Sequence, residues 1–194
     1  MVHHQIVLIG GKPDGIPFNV INQISFLVGS LSDLRTFWNI LKDIIALEID
    51  ERTVAKRSLD VEQEKKIAIY DLLEKNYFKL IKPKVSGPYN LILSIKDNRI
   101  LFDISNAEKL SIVILGLSLN PFRGLIRDYL SICDSYFQAI RSSSPSQIET
   151  IDMARRGLHN EGSVLVKDRL SGKVNIDDKT ARRFFTLISV LHLR

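Results

Sequence analysis

The chain has 194 residues and one cysteine, and its 45% hydrophobic and 25% charged residues are ordinary for a globular protein. These values exclude a wholly disordered chain, and the single Cys133 excludes an internal disulfide and a cysteine-based zinc site. The net charge of +5 permits an anionic partner without requiring one. The absence of a lysine-rich tail or an arginine-rich run counts against nucleic-acid binding.

The N-terminus, Met1-Val2-His3-His4, has neither the basic region nor the small-residue cleavage site of a signal peptide. The longest apolar runs, such as Ile112 to Leu115, are far shorter than a membrane-spanning helix requires. A lone cysteine also points to a reducing compartment. We therefore expect a cytoplasmic protein without a membrane segment.

Residues 1–43 differ in pattern from the rest of the chain. A glycine-rich turn is followed by a helix-like run, Leu34 to Leu41, which contains the only tryptophan, Trp38. From Ile44 onward the hydrophobic periodicities become regular. We expect residues 1–43 to be an N-terminal extension and residues 44–194 to form a single domain.

Four stretches have the hydrophobic pattern of β-strands. Ile45 to Ile49 alternates with its odd-numbered residues on one face, and Leu91 to Ile95 alternates in the same way. Asp97-Asn98 is a tight turn into Ile100 to Ile104, which predicts a hairpin. Leu110 to Leu119 is rich in leucine and β-branched residues, and it predicts a more buried strand.

Two helices are predicted before the polar segment described below. Asp60 is placed to cap a helix that extends to about Lys75. Pro121 suits the first turn of the next helix, whose apolar stripe from Ile126 to Ile140 is expected to pack on the sheet. Because Cys133 lies on this stripe, we expect it to be a core residue without catalytic or redox chemistry.

Three further helices are predicted in the last third of the chain. Ser144-Pro145 begins a helix that ends at Gly157, a second runs from about Ser163 to Leu170, and Asp177 or Asp178 caps the last. Since strands come first and helices later, the order predicts an α+β fold. We expect a small, mostly antiparallel sheet from the N-terminal half, packed against about four C-terminal helices.

The densest cluster of polar side chains lies in a predicted bend between two helices. Gly157 and Gly162 bracket a short polar bend that holds His159 and Glu161, and two guanidiniums, Arg155 and Arg156, directly precede it. His159 is the candidate catalytic base, and Glu161 is the candidate group that orients it. The alternative is a helix–helix corner, in which Gly157 ends one helix and the polar side chains cap backbone groups.

Four arginines form the candidate anion-binding set. Arg155 and Arg156 directly precede the predicted bend, and Arg182 and Arg183 open the last helix. They predict an anionic ligand if the helices bring these guanidiniums to one side, whereas pairing with acidic neighbours is the alternative. The histidines and the cysteine are too scattered for a zinc site, so we expect neither a metal nor a cofactor.

Several segments resemble a known bacterial family. They are Gly87-Pro88-Tyr89, Arg127 to Tyr136, Ser144 to Gly162 and Thr180 to Leu187. In these segments the chain is similar to the uncharacterised protein family numbered two hundred and sixty-two, small bacterial proteins typical of alphaproteobacteria. The resemblance runs from about Ile44 to Arg194, which implies that residues 1–43 are an addition.

The resemblance implies no mechanism, because no activity, cofactor or catalytic residue is assigned to that family. One departure is Ala154, where the family pattern has glycine. A methyl group is readily accommodated in a helix, so this departure has little consequence.

Three functions stay open at this point. The leading interpretation is a non-enzymatic binding or interaction protein, acting as a homodimer with its helical half as the working surface. The second is an enzyme that acts on an anionic small molecule, with His159 as base and the arginines as clamps. The third is an RNA- or ribosome-associated protein that uses the same arginines.

Overall fold

The computed structural model describes residues 43–50, 52 and 59–192. For residues 59–61 it describes the backbone alone. The expectations for Trp38 and the rest of residues 1–42, and the side chain of Asp60, lie outside the described residues. The elements in chain order are β1 (Ile44–Ile49), α1 (Leu59–Glu74), β2 (Phe78–Leu80), β3 (Tyr89–Lys96), β4 (Arg99–Asn106), β5 (Ser111–Ser118), a 3-10 turn (Asn120–Phe122), α2 (Arg123–Ser142), α3 (Pro145–Leu170), β6 (Val174–Ile176) and α4 (Asp178–His192).

The main sheet has the strand order β1-β3-β4-β5. β1 pairs with β3 in parallel, whereas the β3–β4 and β4–β5 pairs are antiparallel. The short strands β2 and β6, which the sequence pattern did not predict, form a separate antiparallel ribbon. The α+β class and the mostly antiparallel sheet are therefore confirmed.

The hairpin between β3 and β4 is also confirmed. Asp97 and Asn98 have φ angles of 49° and 57°, the left-handed conformation that a two-residue turn of type I′ requires. β1 departs from simple alternation, because a bulge falls between Ile44 and Ala46. As a result Ile44 is fully buried and Ile45 is only half-buried.

β5 is less buried than its composition predicts. Leu115 and Leu117 face the core, but Ile114 is 58% exposed and Leu110, which precedes the strand, is 66% exposed. The expectation of a more buried strand is wrong because β5 lies at the edge of the sheet and packs through one face alone.

The predicted bend around His159 is also wrong. Residues 145–170 form one continuous helix of 26 residues, α3, which passes through both glycines. Its start is as predicted: Ser144 and Gln147 form a capping box, with Pro145 in the first turn. The two short helices expected on either side of the bend are thus a single helix.

Close packing of α3 against α4 explains one of the two glycines. A Cβ atom on the buried Gly162 would lie 2.4 Å from ring atoms of Phe185, a distance no real side chain tolerates. Gly157 is exposed and has no neighbour within 4 Å of such an atom. Gly162 therefore serves the contact between two helices and does not end either of them.

The core lies between the sheet and α4. Phe184 of α4 packs edge-to-face against Phe78 and Phe102, with ring centroids 6.1 Å and 5.3 Å apart. α2, in contrast, packs mainly against α3. Its apolar stripe was expected to lie on the sheet, but Phe137 and Ile140 are 42% and 53% exposed because the stripe extends beyond the core.

Candidate functional site

A pocket of about 300 Å³ lies where the four helices meet, and we call it the helical pocket. Its apolar wall consists of Leu130 and Phe137 of α2, Val190 of α4, and the rings of Tyr129 and Tyr136. This volume suits a small molecule, and a predominantly apolar and aromatic lining is typical of ligand sites.

Five polar side chains complete the lining of the helical pocket. They come from all four helices and are Glu64 of α1, Cys133 and Asp134 of α2, Arg155 of α3 and Thr186 of α4. They are far apart along the chain, and only the packing of the helices brings them together. Of this set, Arg155 is the one residue that the sequence singled out as a binding candidate.

Asp152 determines the position of Arg155. The Arg155 Nη2 atom lies 2.6 Å from an Asp152 carboxylate oxygen, and the guanidinium sits over the Tyr136 ring, 5.0 Å from its centroid. Arg156 binds the other oxygen of the same carboxylate at 2.7 Å. Two guanidiniums therefore share one carboxylate, and hydrogen bonding to Arg155 lowers the pKa of Asp152.

His159 joins α3 to α4 from within the helix interface. Its Nε2 atom lies 2.9 Å from the Arg182 carbonyl oxygen and 2.9 Å from Thr186 Oγ1. A carbonyl oxygen only accepts hydrogen bonds, so Nε2 carries the proton and donates it to Arg182 O. The ring also packs against Tyr129 and Phe185, at centroid distances of 5.4 Å and 5.8 Å.

The environment of His159 favours the neutral imidazole. Burial lowers its pKa from 6.5 to about 4, and the nearby charges of Arg182 and Arg155 act in the same direction. The hydrogen bond to the Arg182 carbonyl opposes this effect without reversing it. His159 is consequently a neutral, half-buried donor that connects two helices.

Glu161 and His159 are not brought together. They are two positions apart on one α-helix, which places their side chains about 200° apart around its axis. Glu161 is exposed, whereas His159 points into the contact with α4. The carboxylate of Glu161 therefore does not orient the imidazole.

The second arginine pair divides between two tasks. The Arg183 side chain donates to the carbonyl of Lys75 at 3.1 Å, just beyond the end of α1. Arg182 contributes its backbone carbonyl to His159, and its charge is close enough to lower the pKa of that imidazole. Arg155 and Arg156 thus share Asp152, whereas the Arg183 side chain caps α1.

Cys133 packs against the core as expected, but it is only half-buried and also lines the helical pocket. Burial raises the pKa of its thiol, although the neighbouring Tyr129 hydroxyl and Arg155 favour the thiolate. Burial also raises the pKa of Tyr129 well above its ordinary range. Both groups are therefore protonated at neutral pH and present a weakly polar floor to the pocket.

The described residues hold neither a membrane-spanning helix nor a cluster of metal-ligating side chains. None of their helices combines the length and apolar character needed to cross a bilayer. Within the same residues, no three histidine, cysteine, aspartate or glutamate side chains gather as a metal ion requires.

A model of the uncharacterised protein family UPF0262 matches residues 41–194. A UPF0262 protein of Rhodospirillum rubrum is 52% identical over 157 residues, which cover 79% of this chain and 96% of the relative. The UPF0262 protein of Caulobacter vibrioides is 56% identical over 151 residues, covering 78% and 93%. For that of Cereibacter sphaeroides the identity is 50% over 153 residues, covering 77% and 97%. No solved structure matches the chain.

Proposed function

Because the chain belongs to the uncharacterised protein family UPF0262, we propose a function from its own geometry: it is a non-enzymatic protein that binds a small molecule in the helical pocket. The observation that carries the proposal is the pocket itself, where aromatic walls and a few polar groups from four helices converge. The resemblance seen in the sequence is confirmed. The family's uncharacterised status leaves the geometry as the guide to function.

The charges in the helical pocket favour a cationic ligand group. Glu64 and Asp134 line it, and neither carboxylate forms an ion pair with another described residue. Arg155 is the one cation among the described lining residues, and its guanidinium is already paired with Asp152. A protonated amine next to two carboxylates gains Coulomb energy, whereas an anion is repelled by the same carboxylates and meets an Arg155 already paired with Asp152.

The ligand class that follows is a small aromatic or apolar molecule with a protonated amine. Its apolar body would pack against Phe137, Leu130 and the Tyr136 ring, and its amine would approach Glu64 or Asp134. The anionic ligand expected from the four arginines is the rival that the experiment below tests directly.

The enzyme and RNA alternatives have less support. An imidazole whose pKa is about 4 is a weak base, and His159 already donates its Nε2 proton to a backbone carbonyl. Phosphate binding by Arg155 and Arg156 would compete with Asp152, which both already contact. We retain the homodimer and the cytoplasmic location expected from the sequence as parts of the proposal.

Two probes of similar size test the ligand class: 2-phenylethylamine, which is cationic, and phenylacetate, which is anionic. In an NMR titration of the full chain we expect 2-phenylethylamine to bind with a dissociation constant on the order of 1 mM and to shift amides near the pocket. Phenylacetate should bind at least severalfold more weakly. Tighter binding of phenylacetate would reverse the charge assignment, and no binding of either probe would overturn the proposal.

Two isosteric substitutions test the role of the pocket carboxylates, and a third substitution, outside the pocket, is the control. Glu64→Gln combined with Asp134→Asn should weaken 2-phenylethylamine binding severalfold and leave the fold intact, because both side chains keep their size. Glu149→Gln removes an exposed carboxylate elsewhere on α3 and should leave the affinity unchanged. Equal losses from both changes would mean that the probe responds to overall charge, and the proposed site would then be wrong.

A further inference from the structure

Among the strands that the structure describes, β5 has an open edge that lacks the usual protection against strand pairing. It is an edge strand of eight residues, Ser111–Ser118, and it contains neither a charged residue nor a proline. β1, at the opposite edge, has six residues, a bulge after Ile44 and the charged Glu48. Short length, bulges and charges protect sheet edges from further pairing, so β1 has these devices and β5 does not.

The ladder with β4 shows which backbone groups of β5 face outward. The Leu119 amide donates to the Asn98 carbonyl at 3.0 Å, and these two residues continue the β4–β5 register. Hydrogen-bonded pairs alternate along an antiparallel ladder, so Leu115 and Leu117 bond to β4. The amide and carbonyl groups of Ile114 and Gly116 point to the open edge, where no other described strand lies.

The side chains at this edge are apolar and exposed. Ile114 is 58% exposed, and in the register it lies beside Asp103 of β4, which in turn lies beside Ile92 of β3. An uncharged edge strand with an exposed isoleucine and outward-facing backbone donors is the kind of surface that pairs readily with another strand.

We propose that β5 pairs antiparallel with β5 of a second copy, which joins the two four-stranded sheets into one sheet of eight strands. A two-fold axis makes such an interface self-complementary, because each copy donates to and accepts from the same residues of the other. The lack of charge on β5 fits a second copy in particular. A charged residue on this strand would lie opposite or close to the same residue of the other copy, and the like charges would repel each other. This inference rests on the proposed homodimer and not on the helical pocket.

Analytical ultracentrifugation of the full chain tests the pairing. The wild type should be a dimer, and Ile114→Lys should raise the dissociation constant by at least a hundredfold, because each copy then places a positive charge on the edge that pairs with the other copy. Ile114→Pro removes one outward-facing amide donor and should have the same effect. Ile92→Lys changes the same residue type in the same cross-strand row, but on an interior strand, and should remain dimeric.

The outcomes separate the proposals. A monomeric wild type would overturn both the homodimer and the pairing, and the 2-phenylethylamine titration would still test the pocket independently. A dimer unaffected by both Ile114 variants would overturn the β5 pairing and leave a homodimer with another interface. Equal dissociation by Ile92→Lys would overturn edge pairing in favour of contact through the sheet face.

Discussion

At the scale of single residues, His159 is the clearest case of a polar side chain with a structural task. Its Nε2–H group donates a hydrogen bond to the Arg182 carbonyl on α4, and its ring packs against Tyr129 and Phe185. Removing it would take one packing neighbour from each of these rings and one hydrogen-bond donor from the Arg182 carbonyl. The imidazole therefore stabilises the contact between α3 and α4.

The pKa of His159 predicts how stability depends on pH. The pKa of the His159 imidazole is about 4 in the folded protein, and its ordinary value is 6.5. As the pH falls, the imidazole of the unfolded chain therefore becomes protonated before that of the folded protein. The contribution of the neutral imidazole to the free energy of unfolding is fully present above pH 6.5. It is lost as the pH falls towards 4, and the loss totals about 2 to 3 kcal/mol. Urea unfolding across this range measures it.

His159→Gln is the control for this prediction. Glutamine retains an amide donor but does not titrate, so the variant should lose less stability than the wild type between pH 6.5 and 4. Parallel pH profiles for the two proteins would contradict the assigned role of the imidazole.

Cys133 leads to a second prediction at this scale. Because burial raises the pKa of its thiol, little thiolate exists at neutral pH, and iodoacetamide should alkylate the native protein at least about tenfold more slowly than the urea-unfolded chain. The rate should rise with pH as the thiol ionises. Mass spectrometry of timed samples gives both rates, and equal rates at pH 7 would contradict the expected burial.

At the scale of elements, α3 shows two glycines with opposite roles in one helix. Gly162 lies against the Phe185 ring, where a methyl group has no room, whereas Gly157 faces open space. A helical glycine without a packing partner costs about 0.5 to 1 kcal/mol relative to alanine. The same substitution should therefore change stability in opposite directions at the two positions.

We expect Gly162→Ala to destabilise the protein by about 1 to 3 kcal/mol through overpacking against Phe185. Gly157→Ala should stabilise it by about 0.5 to 1 kcal/mol, because the helix loses a flexible residue and nothing is displaced. Chemical denaturation of both variants measures the two changes. A loss of stability at Gly157 would show that this position needs glycine for another reason.

At the scale of the whole molecule, Asp43 connects the start of β1 to elements distant in sequence. Its carboxylate accepts from the Phe78 amide at 2.8 Å and pairs with Lys79, and its carbonyl accepts from the Tyr89 amide at 2.7 Å. Asp43 is the last residue of the predicted N-terminal extension, yet it is buried and helps to hold β1, β2 and β3 together.

Two truncations test where the domain begins. Deleting residues 1–40, which precede the family match, should change the free energy of unfolding by less than about 1 kcal/mol. Deleting residues 1–43 removes Asp43 as well and should cost about 1 to 3 kcal/mol more, because buried amides lose their acceptors. If the shorter deletion already prevents folding, residues 1–40 are part of the domain and the predicted extension is wrong.

Local chemistry determined much of the fold from the sequence. Left-handed Asp97 and Asn98 specify the hairpin, Ser144 and Gln147 begin α3, and Asp177 caps α4 by accepting from the Thr180 amide at 2.7 Å. Each of these signals depends on residues within a few positions of one another, so a sequence pattern is enough to detect it.

Only the tertiary structure decided the site. The helical pocket needs Glu64, Asp134, Arg155 and Thr186 to meet, and no local pattern links residues on four separate helices. The continuity of α3 was hidden for the same reason, because the partner that explains Gly162 is a ring on α4. The composition of a strand does not predict its place in the sheet, so β5 can be identified as an edge strand only from the strand order. Contacts between distant segments decide these features, because local sequence determines an element's shape but not its neighbours.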